Sequence, residues 1–231
     1  MKPAPWDSIF AEKEHAWLDP DPWVSSFLSR FAQGARLLDV GCGCGRHLRR
    51  AFLSGLVAVG LDESSVALGL ASDCLRAIGQ QAWLLRGDFS ALPFRSGSFD
   101  IVISTYSANH GTRRQITGYF SELARVLCQG GSMAVILSAS GDYREGIGDQ
   151  LEAHTYVLTD GPESGVPHHF ATEELVRECL GFASHMTCEL HTMSFPEIEA
   201  HYGSPVHLKS HPVVLNKVSP MAANWRLTAR K

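Results

Sequence analysis

The segment Leu37-Leu38-Asp39-Val40-Gly41-Cys42-Gly43-Cys44-Gly45-Arg46 constrains this chain more than any other. An apolar run of strand length ends in glycines at alternate positions. Glycine has no Cβ, so such a turn can take positive φ and let a small ligand lie directly against the main chain. A helix beginning at Arg46 would aim unpaired N–H groups at that ligand. The expected unit is strand, ligand-binding turn and helix, although an ordinary tight turn can share these residues.

Two cofactor classes use such a unit. Dinucleotides take G-x-G-x-x-G, and S-adenosylmethionine (AdoMet) usually has an acidic residue two positions before the first glycine. Here the third dinucleotide glycine falls on Arg46, whereas Asp39 stands where a carboxylate can receive the ammonium of a methionine moiety. A second apolar run, Leu56 to Leu61, ends in Asp62 and Glu63. Asp62 lies at roughly the 20-residue spacing that suits a ribose diol, and so fits either cofactor. A third run from Ala82 is followed by Asp88 and Phe89, where an acidic residue can accept from an adenine amino group. Leu92-Pro93-Phe94 leads through a Gly-Ser turn into a fourth strand, Ser98–Ser104. A helix over Arg113–Leu127 then carries Ile116, Phe120, Leu123 and Leu127 on one stripe. Gly130-Gly131 is expected to stop it, with Met133–Leu137 as the fifth strand.

These pieces read D-x-G-C-G-x-G, G-x-D-x-S, L-P-F-x-x-x-x-F-D and R-V-L-x-x-G-G. In that order they resemble the class I AdoMet-dependent methyltransferases, especially the UbiE/methyltransferase-11 group, over about residues 36 to 138. The departure is Cys44, where the group more often has Pro or a small hydroxyl residue. The resemblance implies a Rossmann-like, doubly wound α/β fold: a mostly parallel seven-stranded sheet with an antiparallel last strand and helices on both faces. It also implies AdoMet as cofactor. Asp39, Gly41, Cys42, Gly43, Gly45 and Arg46 would then line the methionine end, Asp62 and Glu63 the ribose, Asp88 and Phe89 the adenine. Ser104 and its successors would floor the sulfonium region. Taken singly, each carboxylate is equally readable as a helix cap or a solvated turn residue.

At 231 residues the chain suits a single α/β domain with appendages. The expected parts are an N-terminal helical lid (1–35), a cofactor-binding core (36–138), a substrate-side insert (139–170) and a C-terminal helix with closing strands (171–231). Strands alternating with helices argue for a parallel sheet covered on both faces. Helices are expected at Arg46–Leu53, at Ser64–Ile78 with Ser64 as N-cap, and at the segment capped by Thr172 and running through Leu180. Met186–Met193 and Trp225–Ala229 suit a closing antiparallel pair. The insert is rich in Gly, Asp, Glu and His, and Tyr156-Val157-Leu158 is its one strand-like run. A loop this long in a compact domain is commonly functional or mobile.

A formal net charge of −4 argues against a surface that coats nucleic acid. No run of eighteen apolar residues is present, and the first residues hold no apolar core suited to a signal peptide, so a soluble cytoplasmic protein without membrane partners is expected. The six cysteines include no C-x-x-C pair and read as free thiols; Cys74, Cys128 and Cys179 look like small residues on helix faces.

Methyl transfer from a sulfonium is an in-line displacement, so the protein chiefly holds two reactants close and aligned. A base is needed only for an acceptor that is protonated at working pH. His110 is the candidate, since Tyr106 to Gly111 follow the fourth strand at its carboxyl end, where ligands sit in open α/β sheets. Trp6, Phe10, Tyr106, His168 and His169 are candidates for the substrate side; aromatic residues at helical spacing, such as Trp6 and Phe10 on the way to Trp17 and Trp23, also serve as packing. Further histidines, at 154, 185, 191, 201, 207 and 211, make no zinc signature, so no metal is expected. The favoured acceptor is a small molecule. RNA, a protein acceptor or a catalytically silent AdoMet-binding module are the alternatives, a basic cleft rim being the feature that would favour RNA.

Overall fold

A computed structural model describes residues 5–11, 19–81, 83–161, 163–194, 197 and 221–231. Ala82, Trp17, His201, His207 and His211, which figured in the expectations above, lie outside these described residues. The chain opens with two short helices, α1 (Pro5–Ala11) and α2 (Pro22–Leu28). It then alternates through β1 (Arg36–Val40), α3 (Arg46–Leu53), β2 (Val57–Asp62), α4 (Ser65–Arg76), β3 (Trp83–Arg86), β4 (Phe99–Thr105), α5 (Arg113–Val126) and β5 (Leu127–Ser138). After these come β6 (Asp149–Glu152), β7 (Thr155–Val157), β8 (Pro167–His169), α6 (Glu173–Cys179), β9 (His185–Ser194) and β10 (Met221–Arg230).

Seven strands form one sheet in the order β3-β2-β1-β4-β5-β10-β9. The first five run parallel, and β10 runs antiparallel to both β5 and β9. The chain fills the sheet outward from β1 in one direction, then returns to start again at β4, so the carboxyl ends of β1 and β4 frame a crevice. Apolar side chains cover both faces. One cluster includes Leu38, Val102, Phe120, Leu123 and Val135, the other Leu37, Leu48, Ile101, Ile103 and Ile136. Neighbouring residues on one strand fall into opposite clusters, as the alternation of a strand buried on both faces requires.

The caps follow the local sequence. Ser64 Oγ accepts from the Ala67 N–H, and Thr112 forms a capping box with Gln115. The motif residues between β3 and β5 are structural links. Arg125 on α5 donates to the carbonyls of Leu92 and Phe94, and Glu122 accepts the Leu92 N–H. Asp100 receives a two-pronged contact from the Arg36 guanidinium, which pins the starts of β1 and β4 together.

Three expectations need correction. Gly130-Gly131 does not stop α5; the helix ends at Val126, and β5 already begins at Leu127, which pairs with Phe99. The glycines lie inside β5, and the carbonyl end of α5 is capped from far away by Lys231 Nζ, which donates to Ala124 and Leu127. Cys128 therefore sits on a strand, whereas Cys74 and Cys179 are helical; none of the six cysteines is in a disulfide. The insert holds a three-stranded antiparallel sheet, β6-β7-β8, rather than one strand-like run. Its strands are only three or four residues long, too short for periodicity to reveal. Among the described residues no helix is long and apolar enough to cross a membrane.

Candidate active site

The glycine turn after β1 forms one wall of a cavity of about 330 Å³ at the carboxyl ends of β1 to β4. Gly41 has φ +73°, and a Cβ there would lie 2.2 Å from Ser107 Oγ, so the turn and the segment after β4 approach as closely as glycine alone permits. Gly43 (φ +51°) faces the ring of Phe10 on α1 across a gap that a Cβ would narrow to 3.3 Å.

Asp62, at the end of β2, lines the cavity and holds the turn. Its Oδ2 accepts the Gly43 N–H at 2.8 Å and its Oδ1 accepts the Ser64 N–H at 2.9 Å. Burial raises its pKa, and these backbone donors oppose the shift. A carboxylate has about four lone-pair sites, so Asp62 retains acceptor capacity toward the cavity. Glu63, Asp88 and Phe89 continue the wall. Asp88 Oδ1 accepts the Ser90 N–H, and the Phe89 ring packs 5.0 Å from Tyr119.

Asp39 is fully buried; it is not on the cavity wall, and neither carboxyl oxygen has a partner. Burial pushes its pKa up to about 7, opposed by the charge of Arg46, which does line the cavity with Cys42 and Gly43. Gly45, the left-handed N-cap of α3, and Ser104, whose hydroxyl is buried without a partner, also stand behind the wall. The floor after β4 is made by Thr105, Tyr106 and Ser107, and Tyr106 holds the unusual φ of +55° for a residue with a side chain. His47 on α3 lies beneath it. Its Nε2 accepts the Asp21 N–H, which leaves Nδ1 to donate to Thr105 Oγ1 at 3.5 Å. Burial holds this ring well below the usual histidine pKa.

The opposite side is built by α1, the segment after β4 and the insert. The Trp6 ring packs 4.5 Å from His110, and its indole N–H bonds Glu63, so α1 closes over the crevice. His110 lines the cavity; burial, reinforced by neighbouring His168, lowers its pKa to about 3, which makes it a weak proton acceptor. His168 and His169 are buried behind this wall. The Nδ1 of His169 meets Thr155 Oγ1 at 2.7 Å, and burial lowers its pKa to about 4.

Several wall residues carry no signal in a motif: Asn109, Tyr119, Tyr143, Arg144, Glu163 and Asn224. Arg144 is the most telling. Its Nε donates to buried Asp142 and its Nη2 to Ser138 Oγ, so a guanidinium is held in place at the cavity. Asp142 in turn accepts the Ala223 N–H from β10. Only the spacing of glycines around Asp142-Tyr143-Arg144 hinted at a shaped loop there.

A family model described as "Methyltransferase domain" matches residues 37–131, the stretch that carries the turn, Asp62 and Asp88. The malonyl-[acyl-carrier protein] O-methyltransferase of Geobacter sulfurreducens is 30% identical over 188 residues, which cover 78% of this chain and 67% of that protein. The chain belongs to the class I AdoMet-dependent methyltransferases. An uncharacterised methyltransferase of Synechocystis is also 30% identical, over 52% of this chain and 65% of its own length; several other curated relatives are matched over less than half of theirs. Among solved structures, an AdoMet-dependent methyltransferase of Methanosarcina mazei shares the fold with a TM-score of 0.65 at 18% identity, over 93% of this chain and 99% of that one.

The family's cofactor is AdoMet, and the residues of this chain fit it. The glycine turn leaves open the space that a Cβ would fill, a carboxylate stands at the end of β2, and a buried carboxyl beside the turn has no partner of its own.

Proposed function

We propose that this chain binds AdoMet in the crevice between the glycine turn and Asp62–Phe89, and transfers its methyl group to a small-molecule acceptor held against the opposite wall. Bound there, the cofactor supplies an electrophilic methyl group on a sulfonium. The chain's own contribution is positioning. Asp62 and Glu63 offer acceptors to the ribose, Asp88 an acceptor and Phe89 a ring face to the adenine, and the Gly41–Gly43 backbone, with the Asp39 carboxyl buried behind it, serves the methionine end. Residues 139–170 supply the acceptor side through Tyr143, Arg144 and Glu163, and α1 within residues 1–35 acts as the lid.

The observation that carries the reading is a cavity with the cofactor turn on one wall and an independent set of polar side chains on the other, closed by Trp6 and Phe10. A small acceptor is supported by the charge of the wall, where Asp62, Glu63, Asp88 and Glu163 outnumber Arg46 and Arg144. Other arginines are engaged elsewhere: Arg36 with Asp100, Arg113 with Glu178, Arg125 with Glu122 and Arg177 with Glu173. They do not form the basic track that phosphate backbones require. Relatives named for sterols, malonyl-[acyl-carrier protein] and tRNA carboxymethyluridine span several acceptor classes.

The test is calorimetric titration of the purified chain with AdoMet, S-adenosylhomocysteine and NADH. Binding of the first two without the third is expected, followed by a screen of acceptors for methyl transfer. Binding of NADH alone would overturn the reading.

A further inference from the structure

One group of side chains on and behind the acceptor wall has no role in holding a nucleoside. His110, Glu163 and His168 each offer a ring nitrogen or carboxylate oxygen, and these atoms all lie within 4.8 Å of one another. Main chain and rings both fix the approach. His110 and His168 pair as an antiparallel bridge, and their rings meet nearly perpendicular with centroids 4.8 Å apart. The Trp6 ring packs against His110 as well, with centroids 4.5 Å apart.

The hydrogen bonds of His168 are the decisive feature. Its Nδ1 lies 2.9 Å from the Val166 carbonyl, which can only accept, so Nδ1 carries a proton. In a neutral ring Nε2 is then a bare lone pair, yet it faces Glu163 Oε2 at 2.9 Å. Two electron-rich atoms at that separation need an electrophile between them, either a second proton or a metal ion. An imidazole oriented by a backbone carbonyl through its far nitrogen is the arrangement that metal-ligating histidines adopt.

We propose that His110, Glu163 and His168 form a binding site for a divalent transition-metal ion of the zinc type. Two imidazoles and a carboxylate are a ligand set that suits such ions, and three protein ligands leave at least one position open. His110 and Glu163 line the cavity, so that position faces the acceptor space. With metal–ligand bonds of about 2.0–2.2 Å, tetrahedral ligand atoms stand roughly 3.3 Å apart. The observed spacings, 2.9 Å for the Glu163–His168 pair and within 4.8 Å for the whole set, bracket that value. Arg144 is the nearby cation that opposes an ion, and its charge is offset by Asp142. The site is independent of whether the chain transfers methyl groups.

The experiment is titration of chelator-treated full-length protein with Co²⁺, read by visible absorption, with Zn²⁺ added to displace it. Expected are one Co²⁺ per chain, an intense band of a four- or five-coordinate site without thiolate charge transfer, and full displacement by Zn²⁺. Glu163→Gln should weaken binding at least tenfold with an unchanged circular dichroism spectrum. His110→Ala, at the cavity edge, gives the same readout should the first variant fail to fold, and His191→Ala should bind as the parent does. Absence of a saturable band, or an affinity in Glu163→Gln and His110→Ala equal to that of the parent chain, would overturn the proposal and assign the pair Glu163–His168 to a shared proton.

Discussion

The backbone N–H of Gly43 donates to Oδ2 of Asp62 at 2.8 Å, so the glycine turn after β1 and the carboxylate after β2 are one rigid unit. The side chain proposed to hold the ribose also shapes the turn proposed to hold the methionine end. Replacing Asp62 by Ala removes a charged acceptor, on the order of 1.5–3 kcal/mol, or roughly ten- to 150-fold in Kd. Calorimetry should show that loss for AdoMet. Unchanged affinity would place the cofactor elsewhere.

Gly41→Ala tests the close approach. A methyl group there would overlap Ser107 Oγ and demand a positive φ from a residue that disfavours it. AdoMet binding should be lost together with at least about 1 kcal/mol of stability. Adding Ser107→Gly should recover part of the stability, because it removes the overlap and leaves only the strain. Wild-type binding by Gly41→Ala alone would show that the turn has room to spare.

Trp6→Ala tests the lid. The indole contacts the His110 ring and bonds Glu63, yet α1 lies outside the sheet. An aromatic contact of this kind contributes about 0.5–1.5 kcal/mol. The expected result is AdoMet affinity weakened by roughly two- to tenfold with little change in the thermal midpoint. A large drop in Tm with no change in affinity would make α1 a packing element only.

Asp39 makes a pH prediction. Its folded pKa, pushed up to about 7 by burial, lies above the unfolded value near 3.9, so between the two the folded chain binds the additional proton. For this group, stability is greatest below pH 4, falls as pH rises, and levels off above about 7, a change on the order of a few kcal/mol. Asp39→Asn should flatten the dependence of urea midpoints on pH between 5 and 8. Saturating AdoMet should flatten it in the parent chain, because an ammonium partner favours the ionised carboxyl. Identical slopes in parent and variant would show that Asp39 ionises without penalty.

The succession of strands and helices, the glycine turn, the caps at Ser64 and Thr172 and the apolar stripe of α5 are all legible in the chain. Each depends on residues within a few positions of one another: alternation of apolar residues, a missing Cβ, a hydroxyl three residues from the N–H it caps. The end of α5 escapes a local reading for the same reason, since Gly130-Gly131 is a local stop signal while Lys231, about a hundred residues further on, supplies the cap. The short strands of the insert left no period to read.

The sequence by itself determined the fold class and the glycine turn with the carboxylate at the end of the next strand, because those rest on local backbone chemistry repeated in order along the chain. Only the tertiary structure decided the acceptor side. His110, Arg144, Glu163 and His168 come from separate segments and meet because the insert folds back on the carboxyl end of β4. No spacing encodes that meeting. The same long-range packing buries Asp39 without a partner and lowers the pKa of His110, properties that belong to a residue's surroundings and not to its type.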